Sequence, residues 1–86
     1  MLRIVAAALE TSDGIVHFLP RPNRHHHLIH ALSMCYGEMY LIDGVQGFVT
    51  SDGTFINRIM AGTIAIESGQ ITALQHPPKL YSEDLW

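Results

Sequence analysis

The sequence predicts an α+β fold: a small antiparallel sheet with two helices packed on it, in ββα-ββα order. Three observations lead there. The chain has 86 residues, 48% hydrophobic and only 15% charged, outside the charge-rich, apolar-poor range of disordered chains. The tetrapeptide Thr-Ser-Asp-Gly occurs twice, at 11–14 and 50–53, and Asp-Gly marks a hairpin turn because Gly accepts positive φ without steric conflict. Each copy is followed by a short apolar run and then an Asn-Arg pair, at 23–24 and 57–58, which reads as a helix start. The repeated order raises duplication of a ββα unit, although four turn residues of common type are weak evidence for it.

The elements follow in order. Leu2–Leu9 reads as a strand buried on both faces at its Ala6-Ala7-Ala8 run, and Ile15–Leu19 returns as its hairpin partner. Pro20 and Pro22 end that strand, since neither donates to a ladder. Asn23 is the expected N-cap of a helix from Arg24 to about Cys35, with Leu28, Ile29, Leu32 and Cys35 at near-helical spacing and Gly37 as the stop. After a loop from Glu38 to Val45, Gly47–Thr50 and Thr54–Ile56 form a second hairpin. Asn57 caps a second helix running to Ser68, with Gly69 as its left-handed terminator. Its wide spread of apolar residues predicts a largely buried helix. The tail from Ile71 ends in Leu85 and Trp86, which are expected to dock rather than stay free.

Length and charge limit the function. The chain is expected to be a single ligand-binding domain over 1–86. Such a chain buries roughly 60–65% of its unfolded surface, a thin margin that favours self-association. Five Lys and Arg against eight Asp and Glu give a net charge of −3, which argues against duplex nucleic-acid binding, where many cation–phosphate contacts are needed. The single cysteine, Cys35, rules out an internal disulfide and is expected to be a buried, inert thiol. The apolar start is broken by Glu10 and is not read as a secretory signal. No apolar stretch approaches the roughly 18 residues that span a bilayer, so no membrane association is expected.

The sharpest chemical feature is charge placement. No acid lies between Asp13 and Glu38, yet Arg21, Arg24, His25, His26, His27 and His30 all do. A helix start offers free amides and the positive end of its dipole, and Arg grips phosphate with a forked pair of donors. Asn57-Arg58 repeats the arrangement on a smaller scale, and Phe48 and Phe55 offer either ordinary core packing or a flat surface for a base. Two anion clamps and an aromatic platform suit a nucleotide with two phosphates. A zinc site at His26 and His30 or His27 and His30 has workable spacing but lacks the H-E-x-x-H pattern, and Arg21 and Arg24 oppose it. No phosphate loop, nucleophile elbow or paired His-x-Ser/Thr element is present. Binding without catalysis, with no metal and no cofactor, is the expectation.

Arg24-His25-His26 at one helix start, Gln46-Gly47-Phe48-Val49-Thr50 with its turn, Phe55-x-Asn57-Arg58 at the next, Gly69-Gln70, and Leu80-Tyr81-Ser82-Glu83-Asp84-Leu85-Trp86 resemble a family of small phage and prophage proteins. Their order is similar to that of the Thoeris anti-defence 1 proteins, phage sponges that sequester cyclic ADP-ribose isomers and are associated with cyclic oligonucleotides. Two departures are Ile59-Met60, where the family pattern has acids, and the short chain. The resemblance implies a phage anti-defence sponge in the cytoplasm of the infected host, holding a cyclic nucleotide signal through Arg24, His25, His26, Phe48, Thr50, Asn57 and Arg58. It further implies self-association as a dimer or hexamer. The alternatives are a protein-interaction module docking through its aromatic C-terminus and, with less support, a small phosphoesterase using histidines or a metal.

Overall fold

Strand β1, Ile4–Glu10, lies at the centre of the computed structural model, which describes all 86 residues. It pairs antiparallel with β2, Val16–Pro20, on one side and with β3, Val45–Thr50, on the other; β4, Phe55–Asn57, pairs antiparallel with β3. The sheet order is β2-β1-β3-β4. Exchanging the first hairpin for the second leaves that order unchanged, so the two ββα units are related by an approximate two-fold through the β1–β3 ladder. Helix α1 spans His25–Tyr36 and α2 spans Arg58–Glu67. The predicted α+β class, antiparallel sheet and pair of helices are all present.

The two Thr-Ser-Asp-Gly turns have matching geometry. In the first, the Thr11 hydroxyl donates to Asp13 Oδ1 at 2.5 Å and Ile15 N–H donates to the same oxygen at 3.2 Å. In the second, the Thr50 hydroxyl and Thr54 N–H do the same to Asp52 Oδ1. Gly14 and Gly53 carry φ of 84° and 85°, the left-handed conformation the turn requires. These hydroxyl bonds are the first cause holding both carboxyls below their ordinary pKa.

Both helices pack on one face of the sheet. Ile4, Ala7, Phe48 and Ile56 meet Ala61 and Ala65 of α2 and Leu80 of the tail, while Leu9 meets Leu28 and Leu32 of α1. A register shift between Ile4 and Ala6 keeps both Ile4 and Ala7 on this face. At the shift, Gln70 substitutes for a strand partner: its Oε1 accepts from Ile4 N–H at 2.6 Å and its Nε2 donates to Ile4 O at 2.9 Å.

The helices depart from expectation in three ways. Helix α2 is not largely buried: Ala61, Gly62 and Ala65 face inward, whereas Ile59, Met60 and Ile66 are exposed. Small residues let the backbone approach closely; a Cβ on Gly62 would stand 3.0 Å from Pro78 O. Cys35 is exposed rather than buried: it continues the stripe of His25, Leu28 and Leu32, but the last turn of α1 extends past the buried core, and Met34 and Tyr36 beside it are exposed as well. Finally, Arg24 and not Asn23 is the N-cap of α1. Asn23 closes the preceding turn instead, its N–H and Nδ2 both donating to Pro20 O at 3.1 and 2.9 Å.

Asn57, by contrast, caps α2 as expected: Oδ1 accepts from Ile59 N–H at 3.0 Å and Met60 N–H at 2.8 Å. Asn57→Ala removes both bonds while leaving an exposed site, so thermal or urea unfolding should show a loss of about 1 kcal/mol.

Candidate functional site

The two helix starts converge on one stretch of chain, Leu80–Trp86. At α1, Arg24 Nε donates to the main-chain oxygen of Trp86 at 2.5 Å. At α2, Arg58 Nη1 donates to Leu80 O at 2.9 Å, Nη2 donates to Gln46 Oε1, and the guanidinium lies 4.5 Å from the centroid of the Tyr81 ring. Arg58 O in turn accepts from Leu80 N–H at 3.0 Å. The arginines thus hold opposite ends of a segment too short to separate its ends by more than about 20 Å.

His25 is the centre of this arrangement. Gly47 O, at 2.7 Å from Nε2, can only accept, so Nε2 carries the proton. Nδ1 then accepts from the Ser82 hydroxyl at 3.2 Å, and Ser82 Oγ accepts from His25 N–H at 3.3 Å. The imidazole meets Phe48 edge-on, centroids 4.9 Å apart. Burial, ahead of the positive charge of Arg58, lowers the His25 pKa, against the opposing effects of the Gly47 bond and the Glu83 charge. Burial also lowers that of Arg58, opposed by Tyr81 and Glu83. One imidazole therefore ties the first helix, the sheet and the tail together in its neutral form.

The predicted site residues separate into two groups. Phe48, Thr50 and His25 lie inside, with Phe48 at 0% exposure. Phe48 is correspondingly no stacking surface: it fills the core beneath α2 and presents its ring to His25. The Thr50 hydroxyl belongs to its turn. Amides expected to be free at the helix starts are partly engaged, the His25 N–H at α1 by Ser82 and the Ile59 and Met60 N–H groups at α2 by Asn57. The space between the two starts is filled by the tail.

What remains accessible is Arg24, His26, Asn57 and part of Arg58. Arg24 is half-buried and uses Nε alone on Trp86, so its two terminal nitrogens, which have no partner in the chain and are not fully buried, remain as a forked pair of donors. His26 and His27, both exposed, place their rings 4.0 Å apart beside it. No three His, Cys, Asp or Glu side chains form a metal-binding group.

Next to the Arg58–Tyr81 stack lies a cleft of about 450 Å³, lined by Gln75, His76, Tyr81, Glu83 and Asp84. Its volume falls within the range of small-molecule sites. His76 meets the Tyr81 ring edge-on at 5.5 Å. Asp84 Oδ2 accepts from Tyr81 N–H at 2.9 Å and fixes this wall. Two carboxylates and no cation line the cleft, so it disfavours a phosphate and suits a hydroxyl-bearing or aromatic group. Sequence reasoning missed Tyr81, Ser82 and Gln46. The distinctive Tyr-Ser-Glu-Asp-Leu-Trp ending was the available signal, yet nothing in its spacing indicates that it returns to both helix starts.

A family described as Phage T4 y16D protein matches residues 3–86. The chain belongs to this phage family. Membership agrees with the small phage protein expected from the ordered motifs and covers both ββα units and the tail. No curated protein and no solved structure matches the y16D-family chain. None of its helices is long and apolar enough to cross a membrane.

Proposed function

We propose that this y16D-family protein is a sponge that captures a cyclic nucleotide immune signal in the infected host's cytoplasm and holds it without cleaving it. The observation that carries this reading is the convergence of two arginine-bearing helix starts on one tail segment, beside a cleft of about 450 Å³. In this reading the free fork of Arg24, with His26, binds phosphate oxygens, and the exposed side of Arg58 adds charge from the second start. The cleft over Tyr81 takes a base or ribose, its Glu83 and Asp84 carboxylates accepting from ribose hydroxyls. The Thoeris resemblance supplies cyclic ADP-ribose isomers and cyclic oligonucleotides as the ligand classes to try. Leu85 and Trp86 pack against the chain's own core, and Trp86 Nε1 donates to Asn23 O at 2.8 Å. Those contacts favour ligand capture over docking through a free aromatic end.

The test is a thermal-shift and calorimetric screen across cyclic ADP-ribose isomers and cyclic di- and trinucleotides, since a ligand of the native state raises its midpoint. Arg24→Ala is expected to weaken binding at least about tenfold, the scale of one lost charge-assisted bidentate contact. Arg21→Ala, outside the convergence, should change affinity by less than about threefold. Equal affinity in wild type and Arg24→Ala would contradict the assignment.

A further inference from the structure

The cleft beside the Arg58–Tyr81 stack holds side chains that the fold itself does not use. Gln75, His76 and Glu83 are exposed, and their side chains have no hydrogen-bond partner in the chain. The backbone that carries them is nevertheless fixed. Lys79 N–H donates to His76 O at 3.1 Å, and fully buried Leu80 anchors the end of that turn. Glu83 stands in the 3₁₀ turn Ser82–Asp84, between buried Ser82 and Asp84, whose Oδ2 accepts from Tyr81 N–H at 2.9 Å. The rings of His76 and Tyr81 meet at 82°, a corner that takes the face of a flat ligand on one ring and its edge on the other. We propose that this cleft reads guanine, the Glu83 carboxylate pairing with the donor edge of the base. The inference rests on the nucleotide-capture reading and narrows it to guanine-bearing cyclic nucleotides.

Donor and acceptor chemistry distinguishes the bases. An ionised carboxylate only accepts. Guanine places N1–H and its N2 amino group side by side, and one carboxylate accepts both in a parallel pair, the arrangement it also makes with the fork of an arginine. Adenine presents the N1 lone pair beside its amino group, and cytosine presents N3 in the same way, so each sets a lone pair against the carboxylate. Uracil has a single N–H between two carbonyl oxygens. Guanine O6, next to N1–H, requires a donor, and the unused Gln75 amide supplies one. Asp84 is less suited to the base edge. Its Oδ2 and Oδ1 already accept from the Tyr81 and Gln75 main-chain N–H groups at 2.9 and 3.4 Å, which leaves it for the ribose hydroxyls. An aliphatic ammonium would also satisfy Glu83 but would leave the corner of two rings uncovered.

Isothermal titration of the full chain with cyclic dinucleotides that share one backbone and carry guanine, hypoxanthine or adenine tests this. The guanine form is expected to bind at least about tenfold more tightly than the adenine form. Hypoxanthine, which keeps N1–H and lacks the amino group, should fall between them. Glu83→Gln should erase the preference while changing the affinity for the adenine form by less than about threefold. Glu83 is exposed, so the variant should keep its far-UV circular dichroism and Tm. Arg24→Ala should weaken every form alike and leave the order of bases unchanged. An adenine form bound as tightly as guanine, a guanine preference that survives Glu83→Gln, or capture of adenine-bearing ADP-ribose isomers alone would overturn the guanine assignment and leave the sponge standing. Absence of binding by all of the dinucleotides and ADP-ribose isomers would overturn both.

Discussion

Gly47→Ala should be the most damaging single-methyl change in the chain, lowering stability by at least about 3 kcal/mol. An added Cβ would overlap the Ile56 carbonyl oxygen and stand 2.7 Å from the Phe55 ring. A ring can rotate away, but the carbonyl is backbone in the β3–β4 ladder, where Gly47 pairs with Asn57. Strand β4 has only three residues, and α2 begins directly after it. Displacing this pair therefore moves the cap of α2 and the start of Arg58. Gly47 O also accepts the hydrogen bond from His25 Nε2–H, so the same methyl disturbs the first helix start. For a domain of this size the expected fall in Tm is about 15 °C. Adding Phe55→Ala should recover little, because it removes the ring and leaves the carbonyl overlap. A Tm shift below about 3 °C would show that the strand relaxes freely at this point.

The second large effect is loss of stability in mild acid through His25. Its folded pKa is lowered from the ordinary 6.5, chiefly by burial. Below that value the unfolded chain takes up a proton that the folded chain resists, so the unfolded state binds more protons and stability falls with pH. The contribution is fully present above about pH 6.5 and is lost progressively as pH drops toward the folded value, at up to about 1.4 kcal/mol per pH unit. Protonating Nδ1 turns an acceptor for the Ser82 hydroxyl into a donor, and the new charge faces Arg58, with Glu83 as the opposing charge. His25→Gln should lower stability at pH 8 by about 2 kcal/mol and flatten the slope between pH 7 and 5. Parallel pH profiles of wild type and His25→Gln, measured by urea unfolding, would contradict this assignment.

Much of the fold was legible because it rests on short-range signals. The paired Thr-Ser-Asp-Gly turns, the Asn57 cap and the terminators Gly37 and Gly69, with φ of 85° and 78°, each act through neighbours in sequence. The repeated ββα order of the sequence appears in the sheet as the symmetric order β2-β1-β3-β4, because β1 and β3 pair with one another. What the sequence concealed depends on long-range contact. Nothing local distinguishes Asn23 from Asn57, yet only the latter reaches the helix amides, since the turn at Pro20 engages the former. Phe48 looks equally suited to a core or a base until α2 closes over it.

The candidate site was half legible for the same reason. The arginines at both helix starts are real features of the fold and do converge. Their partners in the tail, however, are Trp86, Leu80 and Tyr81, all more than 20 residues away in sequence. A reading based on spacing could identify the cations without identifying the segment that occupies the ground between them. The inward small residues of α2 were hidden similarly: apolar content predicted burial, whereas Ala61, Gly62 and Ala65 take the close approach and the larger side chains turn outward.

The most direct test of ligand capture is to saturate purified protein with a cyclic ADP-ribose isomer or cyclic dinucleotide found in the screen, remove free ligand, denature by heat and analyse what is released by mass spectrometry. The account predicts stoichiometric recovery of the intact cyclic molecule from wild type and a large loss of recovery from Arg24→Ala. Release of a linearised product would identify an enzyme instead, and absence of capture across both ligand classes would contradict the sponge.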